Sequence, residues 1–566
     1  VYSNLAEFYF DKRRYADANA TYKAFISRNP FHRRAPNFHM RIIEIHTAGG
    51  FPTLVLDDKK AFANNYGLQA EYWDYFEPGD CQDVLASLKT NLTDLAHHYH
   101  SAYQKPPEKE EKPNYFKEAV LWYREFLVSF PTDNESPAIN YQLADLFLEN
   151  LDYGPAAAEY EKTAYDYPSH EKSSEAGYAA VYALRKQLEA AAPDNETDVK
   201  KEIVRISVKF VDNFPDHEKA AIVLGAAAED LYAMEDYEQA FSAATRLVEN
   251  YPDADEEIRL TAWLVNAHAA YELQNYEAAE LAYIEVLNVL PSDDETRQGL
   301  VDNLAAAIYK QGEQANALED YRAAADHFLR VGRVAPASTI RANAEYDGAE
   351  ALIQLEAWEQ AAVVLNDFRS SFPEHELQAE VTTKIAYVYK QNGQLLLAAR
   401  EYERIETEST DDDVRRDALQ IAADLYAQED RTVNALEVYR RYVGYFAEPV
   451  ELNLETRNKI AEILKAENER QAYLEELEQI VTIDNAAGSS RTPRTRYLAG
   501  NAAMVLAEVT YERFVEVDLV KPFQTNLHMK QTLMKKAVKE FNHLMDYEIG
   551  DITAGAIFYL AEIYAH

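Results

Sequence analysis

The side chains best equipped for chemistry fall into a few groups. His97-His98-Tyr99-His100 is the one histidine cluster of the chain. His97 and His100 share a helical face, yet no third ligand stands at metal-site spacing. The run therefore reads as solvated surface histidine, and no metal is expected. His32, His170, His217 and His375 each follow a proline by two residues. At a helix boundary such a histidine serves the local turn or caps the next helix, a pH sensor being the sharper alternative. Asp411-Asp412-Asp413 lacks the spacing and glycine of a calcium loop and suits the start of a helix, where negative charge is favoured. No P-loop, no GxGxxG after a strand, no HExxH and no GxSxG elbow is present. Carboxylate pairs are too common to be diagnostic. No catalytic residue and no cofactor is expected. Asn91-Leu92-Thr93 and Asn195-Glu196-Thr197 match glycosylation sequons, a pattern common by chance.

Composition narrows the field further. The 566 residues are 47% apolar, enough for a core, but hold only 17 glycines beside 40 tyrosines. So little glycine argues against a turn-rich β fold and suits helices. With 97 acidic against 56 basic side chains, the formal charge is −41. Such a surface repels phosphate backbones and anionic lipids, which excludes nucleic acid and favours a basic protein partner. The plainer role of the charge is solubility. Cys81 is the sole cysteine, so no intrachain disulfide forms. No apolar run is long enough to span a membrane. Val1 is not a start methionine, and Ile552–His566 reads as a first helix without its second. The chain is therefore expected to be a piece of a longer protein.

The elements that must position these groups are written in a repeat. Asp236-Tyr237-Glu238-Gln239-Ala240 and Asn275-Tyr276-Glu277-Ala278-Ala279 match after a shift of 39 residues. A recurrence of this length marks stacked supersecondary units. Prolines at 30, 131, 168, 215, 252, 291, 336 and 373 stop units, with spacings of 37, 47, 37, 39, 45 and 37 after the long first gap. An aromatic precedes the stop at Phe130, Tyr167, Phe214, Tyr251 and Phe372. Proline cannot continue a helix, and the residue before it is pushed out of the α region. Twelve residues before the stops lie Ala18, Ala119, Ala156, Ala240, Ala279, Ala324 and Ala361; only Pro215 breaks the spacing, with Ile203. Twelve residues earlier again stand Ala6, Ala144, Ala228, Ala267 and Ala349, with Ala386 and Ala423 repeating the pattern before Ala398 and Ala435. Close helix–helix approach explains small residues in this register. Pro107 and Gly312 take the place of the first alanine in two units.

These alanine, aromatic and proline positions resemble the tetratricopeptide repeat (TPR) family over most of the chain. The resemblance implies an all-α fold, a right-handed TPR superhelical solenoid of about 11–13 helix-turn-helix units. The expected layout is a TPR unit and following helix at 1–50, then an irregular aromatic-rich insertion at 51–80. The main array covers 81–484, a linker or hinge 485–493, and truncated TPR-like units 494–566. Within 51–80 a short helix is expected at Leu56–Tyr66, then an aromatic connection. Tyr72, Trp73, Tyr75 and Phe76 either plug the solenoid or form a docking feature. Helices are also expected at Arg494–Phe514 and Met529–Tyr547.

In the TPR family the first helices line the concave surface. Carried onto matching units, the lining positions are Tyr141, Asp145, Glu149, Glu229, Tyr232, His268, Tyr271, Glu272, Tyr346, Glu350, Tyr387 and Asp424. Tyrosine offers rigid contact area and carboxylates select basic partners. The resemblance thus implies a non-enzymatic interaction scaffold with an acidic, tyrosine-lined groove. Units ending in aromatic-Pro-x-His resemble bacterial envelope TPR proteins with BamD- and CpoB-like repeats. They also resemble the TPR scaffolds of gliding and ExbB/ExbD/TonB-type machines. That implies a subunit of a cell-envelope assembly, periplasmic or outer-membrane-associated, with a cytoplasmic location as the alternative. A self-assembling solenoid, or an interaction module of a larger chain with catalysis elsewhere, are the rival readings. The oligomeric state and the partner's identity are not legible in the residues.

Overall fold

The structure is a computed structural model and describes residues 1–192 and 195–565. Among these residues the chain is a succession of α-helices joined by short turns, with no strand. It divides into two compact units, Val1–Asp294 and Glu295–His566.

The first unit is built from helix pairs. α1 (Tyr2–Asp11) pairs with α2 (Tyr15–Arg28), α3 (Ala35–Gly49) with α4 (Pro52–Tyr66), and α5 (Gln82–Gln104) with α6 (Lys112–Ser129). α7 (Ser136–Glu149) and α8 (Tyr153–Tyr165) follow, then α9 (Ser173–Glu189) and α10 (Glu196–Asn213). α11 (Ala220–Ala233) with α12 (Tyr237–Asn250), and α13 (Glu256–Glu272) with α14 (Tyr276–Val289), complete it.

The second unit continues in the same style. It holds α15 (Arg297–Ala317) with α16 (Tyr321–Val334), α17 (Arg341–Gln354) with α18 (Trp358–Ser371), and α19 (Gln378–Gln391) with α20 (Leu395–Glu408). α21 (Asp412–Gln428) pairs with α22 (Thr432–Tyr445), and α23 (Val450–Ala466) with α24 (Arg470–Ala486). α25 (Pro493–Val515), α26 (Phe523–Leu544) and α27 (Gly550–Ala565) close it.

The alanine register is where the pairs touch. Ala6 and Ala18, Ala144 and Ala156, Ala228 and Ala240, and Ala267 and Ala279 are all 0% exposed. So are Ala349 and Ala361, Ala386 and Ala398, and Ala423 and Ala435 in the second unit. A larger side chain there would force the two helices apart. Gly312 fills the same role on α15: a Cβ added there would come within 2.7 Å of the Phe328 ring. On α5 the fully buried small residue is Ala96, displaced from the expected position by the Gln104–Pro113 insert.

The turn inside most pairs is as regular as the contact. Leu151, Glu235, Gln274, Glu319, Glu356, Asp430 and Asn468 hold left-handed φ values of 55–63°, as does Arg13, while Gly393 stands at 71°. One left-handed residue reverses the chain so that the second helix starts at once. Asp236, Asn275 and Asp320 then cap that helix, accepting from Gln239, Ala278 and Ala323 backbone N–H groups.

The Pro-x-His motifs build the turn between pairs. In each, histidine Nδ1 accepts the backbone N–H two residues on: Arg34 to His32 at 3.0 Å and Lys172 to His170 at 3.1 Å. The same holds for Lys219 to His217 at 3.1 Å and Leu377 to His375 at 3.3 Å. The rings of His32, His217 and His375 also pack edge-on against Phe25, Phe210 and Phe368.

Two helix starts differ from expectation. α4 begins at Pro52 rather than Leu56, because Pro52 at the first turn is pre-set for a helix. α26 begins at Phe523 rather than Met529, directly after Pro522. Over 485–493, α24 runs to Ala486, a single 3₁₀ turn follows, and Thr492 caps α25 in a reciprocal pair of bonds with Thr495. Arg491 there reaches back 2.7 Å to the fully buried Asp484.

Candidate functional site

Odd-numbered helices touch not only their pair partners but one another, α11 with α13 in the first unit and α15 with α17 in the second. The first helices of the pairs, which the TPR resemblance makes the inner row, carry every lining position named from the sequence. The chemistry available there differs from residue to residue.

The position after the inner-row alanine is often occupied from within its own pair. A tyrosine four residues beyond the second alanine reaches back to it. Tyr22 donates to Glu7 at 2.7 Å, Tyr160 to Asp145, and Tyr439 to Asp424, while Tyr283 Oη lies 2.9 Å from His268 Nδ1. Asp145, Asp424 and His268 are therefore braces of the helix pair as well as lining groups. Burial raises the Asp145 carboxyl above its ordinary value, against the Tyr160 bond. Burial lowers the His268 imidazole, which Glu272 only partly offsets.

In the first unit the remaining positions fall into two sets. Tyr141 packs edge-on to Tyr160 at 5.3 Å with the Lys172 ammonium 5.8 Å above its ring. Glu149 receives Gln104 at 2.8 Å and contacts His100 at 3.3 Å. The second set is Glu229, Tyr232, His268, Tyr271 and Glu272 on α11 and α13. Tyr232 lies 6.0 Å from His268, and Tyr271 stacks edge-on with Tyr276 at 5.2 Å. Glu229 and Glu272 face solvent, and neither has an ion-pair partner among the described residues. The wall around Glu229, then the neighbouring Asp230, hold its carboxyl above the ordinary value. Asp230 itself is engaged by Arg185 at 2.6 Å.

In the second unit the lining acids are matched by lysines from the next pair. Lys384 binds Glu350 and sits 5.3 Å from the Tyr346 ring, while Tyr346 donates to Glu380. Lys459 binds Asp424 at 2.6 Å. Burial would raise Glu350, but the Lys384 and Gln354 bonds outweigh it and hold the carboxyl low. Tyr387 stands 43% exposed, its ring edge-on to Trp358 at 5.9 Å.

The aromatic segment turns mostly inward. Tyr72 is 1% exposed, packed on Tyr66 at 5.2 Å and stacked on Phe76 at 4.8 Å. Trp73 donates its indole N–H to the Tyr66 carbonyl at 3.0 Å. Tyr75 alone of the four is exposed, stacked on Phe31 at 4.5 Å. The histidine run needs correction at one member: His97 and His98 are exposed, but His100 is buried between Tyr123 at 2.9 Å and Glu149. His100 is turned toward α6 and the following pair, a placement set by how one pair lies against the next. Asp411 caps α21 as charge at a helix start should, accepting from Asp413 at 2.8 Å. Asn91 of the first sequon is buried at 1% exposure, out of reach of glycosylation in the folded chain.

No protein-family model matches this chain, and no curated protein does. Among solved structures it is similar to a tetratricopeptide repeat protein from Parabacteroides merdae. That match has 14% identity and a TM-score of 0.21, covering 49% of this chain and 96% of that one. Naa15/Naa10 bound to HypK-THB matches at 13% identity and a TM-score of 0.21, over 96% of this chain and 88% of the other. Yeast Tom70 matches at 13% and 0.21, over 93% and 98%. The class rests on the helix pairs themselves, with their buried alanines, left-handed turns and proline stops. The chain is an all-α, TPR-like helical repeat protein. Stacked arrays of this kind present extended surfaces for binding other proteins.

Proposed function

We propose that the chain is a non-enzymatic protein-interaction scaffold that holds a basic segment of its partner on the inner row of the first unit. The contact set is Glu229, Tyr232, His268, Tyr271 and Glu272. One observation carries this reading: Glu229 stands exposed without an ion pair among the described residues, its charge disfavoured by burial and by Asp230, while Arg185, which offsets this only in part, is bonded to Asp230. An incoming lysine or arginine relieves that cost, while Tyr232 and Tyr271 supply rigid amphipathic area beside it. The repeat style makes a bacterial cell-envelope assembly the setting in which to seek the partner, periplasmic or outer-membrane-associated.

The test uses fluorescence anisotropy with a labelled amphipathic Lys/Leu peptide. Binding should be saturable, weaken with salt, and be lost in a Glu229→Lys, Glu272→Lys double variant that keeps its helical melting curve. Undiminished binding by that variant would sink the assignment.

A further inference from the structure

A second site lies away from the inner-row set. A cleft of about 580 Å³ opens between α4 and α5. At one end of this helix pair, the 67–81 segment and its Tyr72, Trp73 and Phe76 cluster separate the end of α4 from the start of α5. The cleft opens at the opposite end, between the first turns of α4 and the last turns of α5. Phe51, Pro52, Val55 and Leu56 line it with apolar surface, and Lys59, Asp94, His97, His98, Ser101 and Thr47 form its polar edge. Its size falls within the range of small-molecule sites, which join an apolar wall to a few convergent polar groups.

The wall is fixed from behind. Phe51 is 43% exposed, with Tyr15 edge-on at 6.5 Å and His46 at 6.1 Å on its covered side. His46 is held in turn by a hydrogen bond to Asp58, which is 6% exposed and also meets Lys23 at 3.2 Å. An aromatic wall anchored by a buried polar pair stands ready before any ligand arrives.

The polar edge sets the head group. The Lys59 stem is largely covered and its ammonium reaches the half-exposed Asp94. Lys60 stands close by, bound to Glu118 at 2.8 Å. Burial first, then Lys60 and Lys59, hold His98 below its ordinary value, which leaves its imidazole neutral and able to donate one N–H at this edge. His97 is oriented by Gln142 at 2.7 Å.

We propose that this cleft binds a small amphipathic carboxylate. Its aliphatic or aromatic body lies on Phe51, Val55 and Leu56, and its carboxylate is taken by Lys59 with the imidazoles of His97 and His98. The carboxylate must displace the half-exposed Asp94 from Lys59, a cost that burial of its body on the apolar wall offsets. Nothing in this site depends on the inner-row assignment.

The test is calorimetric titration of the full chain with octanoate, with octanol and octylamine as parallel arms. One octanoate should bind per chain, with octanol weaker by about tenfold for want of the charged hydrogen bond. Lys59→Met and His98→Ala should weaken octanoate while leaving octanol unchanged, and Val55→Trp should remove both by filling the cleft. Absence of saturable octanoate binding, or tighter binding of octylamine than octanoate, overturns the proposal. So does octanoate binding unaffected by Lys59→Met and His98→Ala, two edge variants that decide the matter even if Val55→Trp does not fold.

Discussion

The inner rows of the two units carry similar residues and use them differently. In the second unit each charged lining position is answered by the next helix pair, Glu350 by Lys384 and Asp424 by Lys459. In the first unit Glu229 and Glu272 have no such answer among the described residues. An acid already paired offers a partner little, because its cation must first be displaced. The contrast teaches that an acidic, tyrosine-rich row is not uniformly a binding row. What counts is which charges the fold has left unmatched.

The largest effect should come from reversing charge on each row in turn. Glu229→Lys with Glu272→Lys should cost the basic probe peptide about 4 kcal/mol of binding. Glu350→Lys with Asp424→Lys should change it far less, and equal losses from both rows would break the contrast. Since a bound cation favours ionised Glu229, probe affinity should also fall as pH drops through that carboxyl's raised pKa.

Acid should next distinguish the units through His39. Burial lowers this imidazole from 6.5 to about 4. As pH falls the unfolded chain takes up that proton first, so the stabilisation is full above about 6.5 and lost by about 4. The loss should reach about 3 kcal/mol at its fullest, seen as lower protection factors around α3 and α4 at pH 5 than at pH 7 once exchange is corrected for its intrinsic pH dependence. His39→Phe, placed between Phe62 and Tyr66, should abolish the difference.

A smaller effect tests the sealing of the second unit. Lys384→Met strips Glu350 of its cation and should lower stability by about 1 kcal/mol in urea unfolding. Glu229→Gln in the first unit should cost nothing, since that charge is already disfavoured. Smallest of all, Glu235→Gly and Glu356→Gly should each stabilise by up to about 1 kcal/mol, since both hold left-handed φ without glycine. Equal gains in the two units would show that their difference lies in charge and not in turn geometry.

Much of the fold was legible because it rests on short-range steric rules. Ala144 with Ala156, or Ala267 with Ala279, had to be small, and Pro215 had to end a helix. The Pro-x-His turns were also readable, since their hydrogen bonds span only two residues. What the sequence hid was anything set by stacking. That Lys384 would cover Glu350, or that His100 would be buried beside Tyr123, depends on how one pair lies against the next. Tyr72 and Trp73 could be seen as aromatic, but not which way they faced. Gly312 looked like a gap in the register until the Phe328 ring was found against it.

The left-handed turn at Leu151, Glu235, Gln274 and their counterparts has a consequence for how such a chain changes length. Because most pairs reverse through the same left-handed residue, close on an alanine contact of their own and end at an aromatic-proline stop, excising α11 with α12 would put Phe214-Pro215 where Tyr251-Pro252 stands before α13. Duplication or loss of a whole hairpin is therefore the low-cost route by which this chain gains or sheds material. A cut within a pair would strand half of an alanine contact.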